Sequence, residues 1–148
     1  MSTTTEDKPT TIEVSPSKIV KTVKRGETYA EPLTVRNTGE ERSSFDVKAD
    51  GEYRSWVDPD PNLFGINAQD EREITLELRP PQGAKIGTHR FKTRVTNAEQ
   101  EDDQAEVDMA LRIPMSLIGW ILLAIFVLIV ILLVVIALIL LPGSEGLL

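Results

Sequence analysis

The chain has 148 residues, with 16 Lys and Arg against 23 Asp and Glu, one His and no Cys. That length supports one folded core of modest size. The acidic balance argues against a nucleic-acid partner, and a lone His without any Cys excludes, short of an all-carboxylate metal site, a zinc site or a Cys/His nucleophile built within one chain.

In chain order, residues 1–10 are polar and Ser/Thr-rich and read as a disordered leader; no apolar stretch of the signal-peptide kind opens the chain. From Thr11 the texture is strand, turn, strand. Ile12 and Val14 alternate with polar neighbours, and after Pro16 a second run covers residues 18–23. A helical reading of residues 18–25 would set Ile19, Val20 and Val23 against Lys18, Lys21, Lys24 and Arg25, as on a membrane-surface helix. The segment is short and rich in Val and Ile, which favours a strand. Arg25-Gly26-Glu27 and Asn37-Thr38-Gly39 read as turns around a strand carrying Tyr29, Leu33 and Val35. Phe45, Val47 and Ala49 then face one way, with Asp46 and Lys48 opposite.

Asp58-Pro59-Asp60-Pro61-Asn62 imitates the first half of a calcium loop. The turn position that wants Gly holds Leu63 and the bidentate-Glu position holds Gln69, so a rigid turn is expected instead. Ile74, Leu76 and Leu78 restore the period-2 pattern, followed by Phe91, Thr93 and Val95, and then Val107, Met109, Leu111 and Ile113. About seven short strands with Gly, Pro and Asn punctuation predict an all-β, immunoglobulin-like sandwich over residues 11–113. The last two strands form a hairpin across residues 96–104, whose Glu99, Glu101, Asp102 and Asp103 read as a solvated acidic tip. Facing Arg94 with Glu106 and Lys92 with Asp108 pairs opposite charges across the strands. Lys48, Arg90, Lys92 and Arg94 make the basic stripe that is the candidate partner-binding face. The single His89 reads as a core or edge residue of a strand.

Residues 114–116 form a short linker, and residues 113–144 carry no charge. Residues 117–141 are almost entirely Leu, Ile, Val and Phe, which predicts a transmembrane helix. Ile121 to Leu141 supply 21 residues, or about 31 Å of helix, matching the hydrocarbon core. Trp120 falls at the interface. Pro142-Gly143 stops the helix, and residues 142–148 make a short tail. No intramembrane charge points to an ion pathway, and no G-x-x-x-G points to tight helix pairing. The helix is an anchor. All sixteen Lys and Arg precede it, with Arg112 adjacent, so the positive-inside rule expects a cytoplasmic domain in a single-pass, tail-anchored arrangement. An outward-facing domain is the alternative. A linker of three residues expects the domain to lie close to the headgroups.

Several short motifs occur together in order: Ile12-Glu13-Val14-Ser15-Pro16, Val23-Lys24-Arg25-Gly26-Glu27, Leu33-Thr34-Val35-Arg36-Asn37-Thr38-Gly39, Trp56-Val57, residues 73–81, and Gly87-Thr88-His89-Arg90-Phe91. In this the chain resembles the immunoglobulin-like domains of the NEW3 type, found in prokaryotic membrane-associated proteins. The resemblance implies a seven-stranded sandwich, Trp56 as a core aromatic, Gly87 closing the loop before the penultimate strand, and an accessory or spacer role. Arg25-Gly26 stands where proline-glycine is usual. Phe45-Asp46-Val47-Lys48-Ala49 with Tyr53 and Val57 also resembles the major-sperm-protein domain of tail-anchored adaptors. That likeness implies binding of acidic peptides through a basic face. The two threonines usual after the lysine are Ala49 and Asp50 here, and no coiled coil precedes the helix.

No phosphate-binding glycine loop or catalytic cluster is present, so the expectation is a protein that is not an enzyme and takes no cofactor or metal. Its expected partners are the lipid bilayer and a protein or membrane complex, as an accessory or structural subunit. An acidic-peptide adaptor and a self-assembling, homo-oligomeric scaffold are the alternatives.

Overall fold

The computed structural model describes residues 9–141, which fall into two compact units divided at Pro114 and Met115. The first unit is a two-layer β-sandwich. Its nine strands are β1 (Ile12–Ser15), β2 (Lys18–Thr22), β3 (Tyr29–Asn37), β4 (Ser43–Ala49), β5 (Val57–Asp60), β6 (Leu63–Ile66), β7 (Glu71–Leu78), β8 (Gly87–Asn97) and β9 (Gln100–Ile113), with a 3-10 turn at Gly51–Trp56. One sheet has the order β1-β3-β7-β5, the other β2-β9-β8-β4-β6. All pairings are antiparallel except β2 with β9.

Period-2 patterning puts the expected side chains between the sheets. Leu33, Val35, Phe45, Val47, Ile74, Leu76, Leu78, Val95, Val107 and Leu111 are all at most 1% exposed. The second run, residues 18–23, is a strand and not a surface helix. β1 and β2 are separated only by Pro16 and Ser17, yet lie in different sheets, so the chain crosses the sandwich there.

The expected seven strands are nine, because residues 57–66 are not a simple turn. Val57 is buried against β7, while Phe64 and Ile66 are buried beside β4. The two prolines masked this pattern. β5 is an edge strand, so Pro59 removes no ladder hydrogen bond on its free side, and Pro61 lies in the corner between β5 and β6. The hairpin is also tighter than expected. β8 and β9 are joined by Ala98-Glu99 alone, with Asn97 Oδ1 accepting from the Glu99 amide at 3.0 Å. Glu101, Asp102 and Asp103 therefore belong to β9, and Asp103 is 5% exposed. It is not part of a solvated tip. Its carboxylate accepts from Thr11 Oγ1, from Thr10 Oγ1 at 2.8 Å, from the Thr11 amide at 3.0 Å, and from Asn97 Nδ2 at 3.5 Å. Thr10, expected in a disordered leader, is thus tied to the core; the rest of that leader up to residue 8 lies outside the described residues.

The second unit holds α1 (Leu117–Leu140), of mean hydropathy 3.8 over its most apolar window. Ser116 caps it, its hydroxyl accepting from the Gly119 amide at 3.1 Å. No residue of α1 is buried; Trp120 is 59% and Ile121 51% exposed. A helix this long and apolar with every face open is a candidate membrane span. Leu141 is its C-cap, and the expected Pro142-Gly143 stop and tail lie outside the described residues.

Candidate partner-binding face

The outer surface of the five-stranded sheet carries the expected basic stripe. Alternation along β8 turns Thr88, Arg90, Lys92, Arg94 and Thr96 outward while Thr93 and Val95 point into the core. Neighbouring strands place Lys48 beside Arg94, Glu106 opposite Arg94, Asp108 opposite Lys92, and Ala110 opposite Arg90. On the far side of β9, Lys18 pairs in register with Asp108 and Val20 with Ala110.

The register is the expected one and Arg94 meets Glu106 across the strands as expected, but Lys92 takes a diagonal partner. Lys92 Nζ donates to Glu106 at 2.5 Å rather than to Asp108. Arg94 divides itself between Asp50 at 3.1 Å and Glu106 at 3.5 Å. Lys48 pairs along its own strand with Asp46 at 2.9 Å. The hydrogen bond from Lys92 holds the Glu106 carboxyl below its ordinary range, and the same bond raises the Lys92 ammonium above its own. Three of the four stripe cations are therefore engaged with carboxylates. Arg90 makes no salt bridge among the described residues, and neither do Arg112 on the adjacent β9 and Lys18 on β2 beyond it.

Two concavities follow from this layout. A groove of 650 Å³ is lined by Lys18, Arg90, Lys92, Asp108, Ala110 and the turn residues Gly51 to Tyr53. It exists because β4 pairs with β8 only as far as Ala49–Thr93; beyond that point the Gly51–Trp56 turn bulges over the edge of β8. An aromatic stack props the turn in place. Tyr53 lies on the Phe91 ring with centroids 4.6 Å apart, and its edge meets Trp56 at 5.0 Å. Desolvation, and then the negative charge of Glu52, raise the Tyr53 phenol above its usual pKa. His89 belongs to this stack, half-buried, with Nε2 on the Lys85 carbonyl at 2.7 Å and Nδ1 by the Tyr53 hydroxyl at 3.3 Å. Trp56 is 8% exposed, a core aromatic as the resemblance implied. The second concavity, of 350 Å³, is lined by Lys18, Lys21, Arg90, Arg112, Val20 and Ala110 among others, with no acidic residue.

Sequence reasoning found Arg90 but missed Lys18, Tyr53 and Arg112 as its neighbours. Lys18 reaches this face through a parallel pairing between strands about ninety positions apart in the sequence, which no local pattern announces. Among the described residues no group of three or more His, Asp or Glu could hold a metal ion.

No family model matches the chain, and no curated protein does. Solved structures do match the fold. The chain is similar to the chaperone DraB of E. coli, with 12% identity and a TM-score of 0.54 over 70% of this chain and 55% of DraB. It is also similar to PapD-like domain 7 of human CEP192, with 13% identity and a TM-score of 0.49 over 72% of this chain and 86% of that one. For WR4, a C. elegans MSP family member, the values are 13% and 0.46 over 71% and 99%. The chain spans about half the length of DraB. The two sheets thus form an all-β, immunoglobulin-like sandwich, the fold the chain shares with DraB.

Proposed function

We propose that this chain is a single-pass, membrane-anchored interaction module. The sandwich is displayed by α1 on the cytoplasmic side and engages a protein partner as an accessory or structural subunit of a membrane assembly. The observation that carries this reading is the pairing of a complete sandwich with a helix whose every face is apolar and open. A non-catalytic role, the NEW3-type resemblance and a partner that is protein all accord with it, and the chaperone fold neighbour is an example of such a sandwich serving protein contacts. In-membrane crosslinking of the full chain, followed by identification of what is captured, tests it. One stoichiometric partner, lost in the variant K18E/R90E, is expected; a monomer that captures nothing in its native membrane refutes it. Protease protection in intact cells tests the side: a domain cut only after lysis is cytoplasmic.

The second concavity, lined by Lys18, Lys21, Arg90 and Arg112 with no acidic residue, favours a second reading, an adaptor for acidic peptides. Arg90 and Lys18 there make no salt bridge among the described residues, so charge reversal at these two should weaken peptide binding more than reversal of Lys48, Lys92 or Arg94, which already have carboxylate partners.

A further inference from the structure

Both ends of the sandwich carry charges of both signs, but cations predominate at one, where Glu27 also lies, and acids at the other, where Arg42 and Arg72 also lie. The loop after β2 carries Lys24 and Arg25, the segment before β8 carries Lys85, and β9 closes with Arg112. These come together at one end, because the Val23 amide donates to the Arg112 carbonyl and the Gly26 amide to the Pro80 carbonyl, both at 2.9 Å. All four cations are exposed and make no salt bridge among the described residues. Beside Lys85, Ile86 is 51% exposed, although its neighbour Ala84 is buried. The opposite end is acidic: Glu40 and Glu41 follow β3, Asp70 and Glu71 open β7, and Glu99 and Glu101 flank the start of β9.

We propose that the basic end of the sandwich docks on anionic lipid headgroups, with Ile86 seated at the headgroup boundary and Lys24, Arg25, Lys85 and Arg112 around it. This rests on the reading of α1 as a membrane span. Three residues separate Ile113 from Leu117, a reach of at most about 14 Å, so a membrane that takes the helix lies within reach of Arg112 and its neighbours. An anionic leaflet attracts Lys and Arg near its surface. The acidic end does not cancel that attraction. β8 has 11 residues, about 36 Å of strand, while screening confines the surface field to about 8 Å. A domain with more acids than bases is therefore drawn in by one end and oriented by the other. An apolar side chain framed by cations is the composition that lies at the headgroup and acyl boundary.

The test is hydrogen exchange on the full chain in nanodiscs, either of phosphatidylcholine alone or with about a third phosphatidylserine. Amides of residues 23–28 and 80–87 should exchange at least about five-fold more slowly in the anionic discs, the equivalent of one or more lysines held at the surface. Residues 97–100 should be unchanged. The slowing should vanish in about 0.5 M salt and in K24E/R25E/K85E, with exchange of β7 and β9 reporting that the variant is folded; the milder K24Q/K85Q should show a partial loss. Equal exchange in the two kinds of disc overturns the proposal. So does slowing that appears only when a membrane extract is added, which assigns this end to a protein. A chain that does not enter discs at all overturns the anchor reading itself, and incorporation is scored separately.

Discussion

Replacing Asp103 with Ala should cost the sandwich about 3 kcal/mol. Asp103 joins the start of β1 to β9 through a carboxylate 5% exposed that accepts from Thr10, Thr11 and Asn97. Truncation strands the Thr11 amide and the Asn97 side-chain amide, each about 1–3 kcal/mol when left unpaired, offset by relief of the desolvated charge. Against a total of about 5–15 kcal/mol for such a domain, that loss lowers Tm by roughly 10–25 °C. The chain has two Trp, so a Trp120→Phe background leaves Trp56 as the core fluorophore for urea and thermal unfolding. The effect also has a pH signature. Burial raises the Asp103 pKa, but the hydrogen bonds from Thr11, Thr10 and Asn97 outweigh it and hold the carboxyl below its usual value. A group depressed in the folded state contributes its stability above the unfolded pKa of about 3.9 and loses it as pH falls through the folded value. The gap between wild type and Asp103→Asn should therefore be full at neutral pH and close under acid conditions. A D103A protein within about 0.5 kcal/mol of wild type, or a gap that does not change with pH, refutes this account of the β1–β9 tie.

Thr93 is fully buried with a hydroxyl that has no partner among the described residues; Thr93→Val should stabilise the domain by about 1 kcal/mol in urea melts. Leu76, 0% exposed at the sandwich centre, should cost about 2–5 kcal/mol as Leu76→Ala by the same assay. Gly26 has φ +69, and an added Cβ would meet only the flexible Gln82 side chain. Gly26→Asn should therefore cost less than about 1 kcal/mol and Gly26→Val clearly more, since a β-branched residue resists that conformation. In α1, one Leu128→Arg costs about 3 kcal/mol against about −6 to −12 for the apolar helix, so carbonate extraction should leave it in the membrane; L128R/L132R should release a substantial fraction.

The core was legible because the alternation of Phe45-Val47-Ala49 and of Ile74-Leu76-Leu78 is a local pattern with one physical cause, a sheet with one face buried. The facing of Lys92 with Asp108 and of Arg94 with Glu106 followed from the same period. What the sequence did not display depends on partners distant along the chain. β5 and β6 were hidden because proline, which normally argues against a strand, is tolerated at an edge. Asp103 looked like surface because it sits in an acidic run, and only the approach of β1 supplies its donors. The candidate face shifted for the same reason. Lys92 has a long flexible stem and takes the diagonal carboxylate, Arg94 reaches Asp50 before the turn, and among the described residues the stripe is left with Arg90, to which the parallel β2 strand adds Lys18 from across β9.

The strand that leads to the helix is also the one most firmly held. β9 lies inside its sheet, bonded to β8 along nearly its whole length and to β2 over its last third, and its beginning is clamped to β1 through Asp103. A pull on the C-terminal end of β9 along its own axis must shear both ladders together, rather than peel an edge strand one bond at a time. The parallel pairing of so short a strand as β2 gains its purpose here: it covers the flank of β9 between Asp108 and Arg112, the stretch just before the chain leaves the sandwich. Loss of β2 pairing, as by Lys21→Pro, removes an amide that the alternation of the parallel ladder turns toward β9. In single-molecule pulling through the C-terminus, it should lower the unfolding force well before it lowers equilibrium stability by a comparable fraction. A variant with an unchanged force would show that β8 alone bears the load.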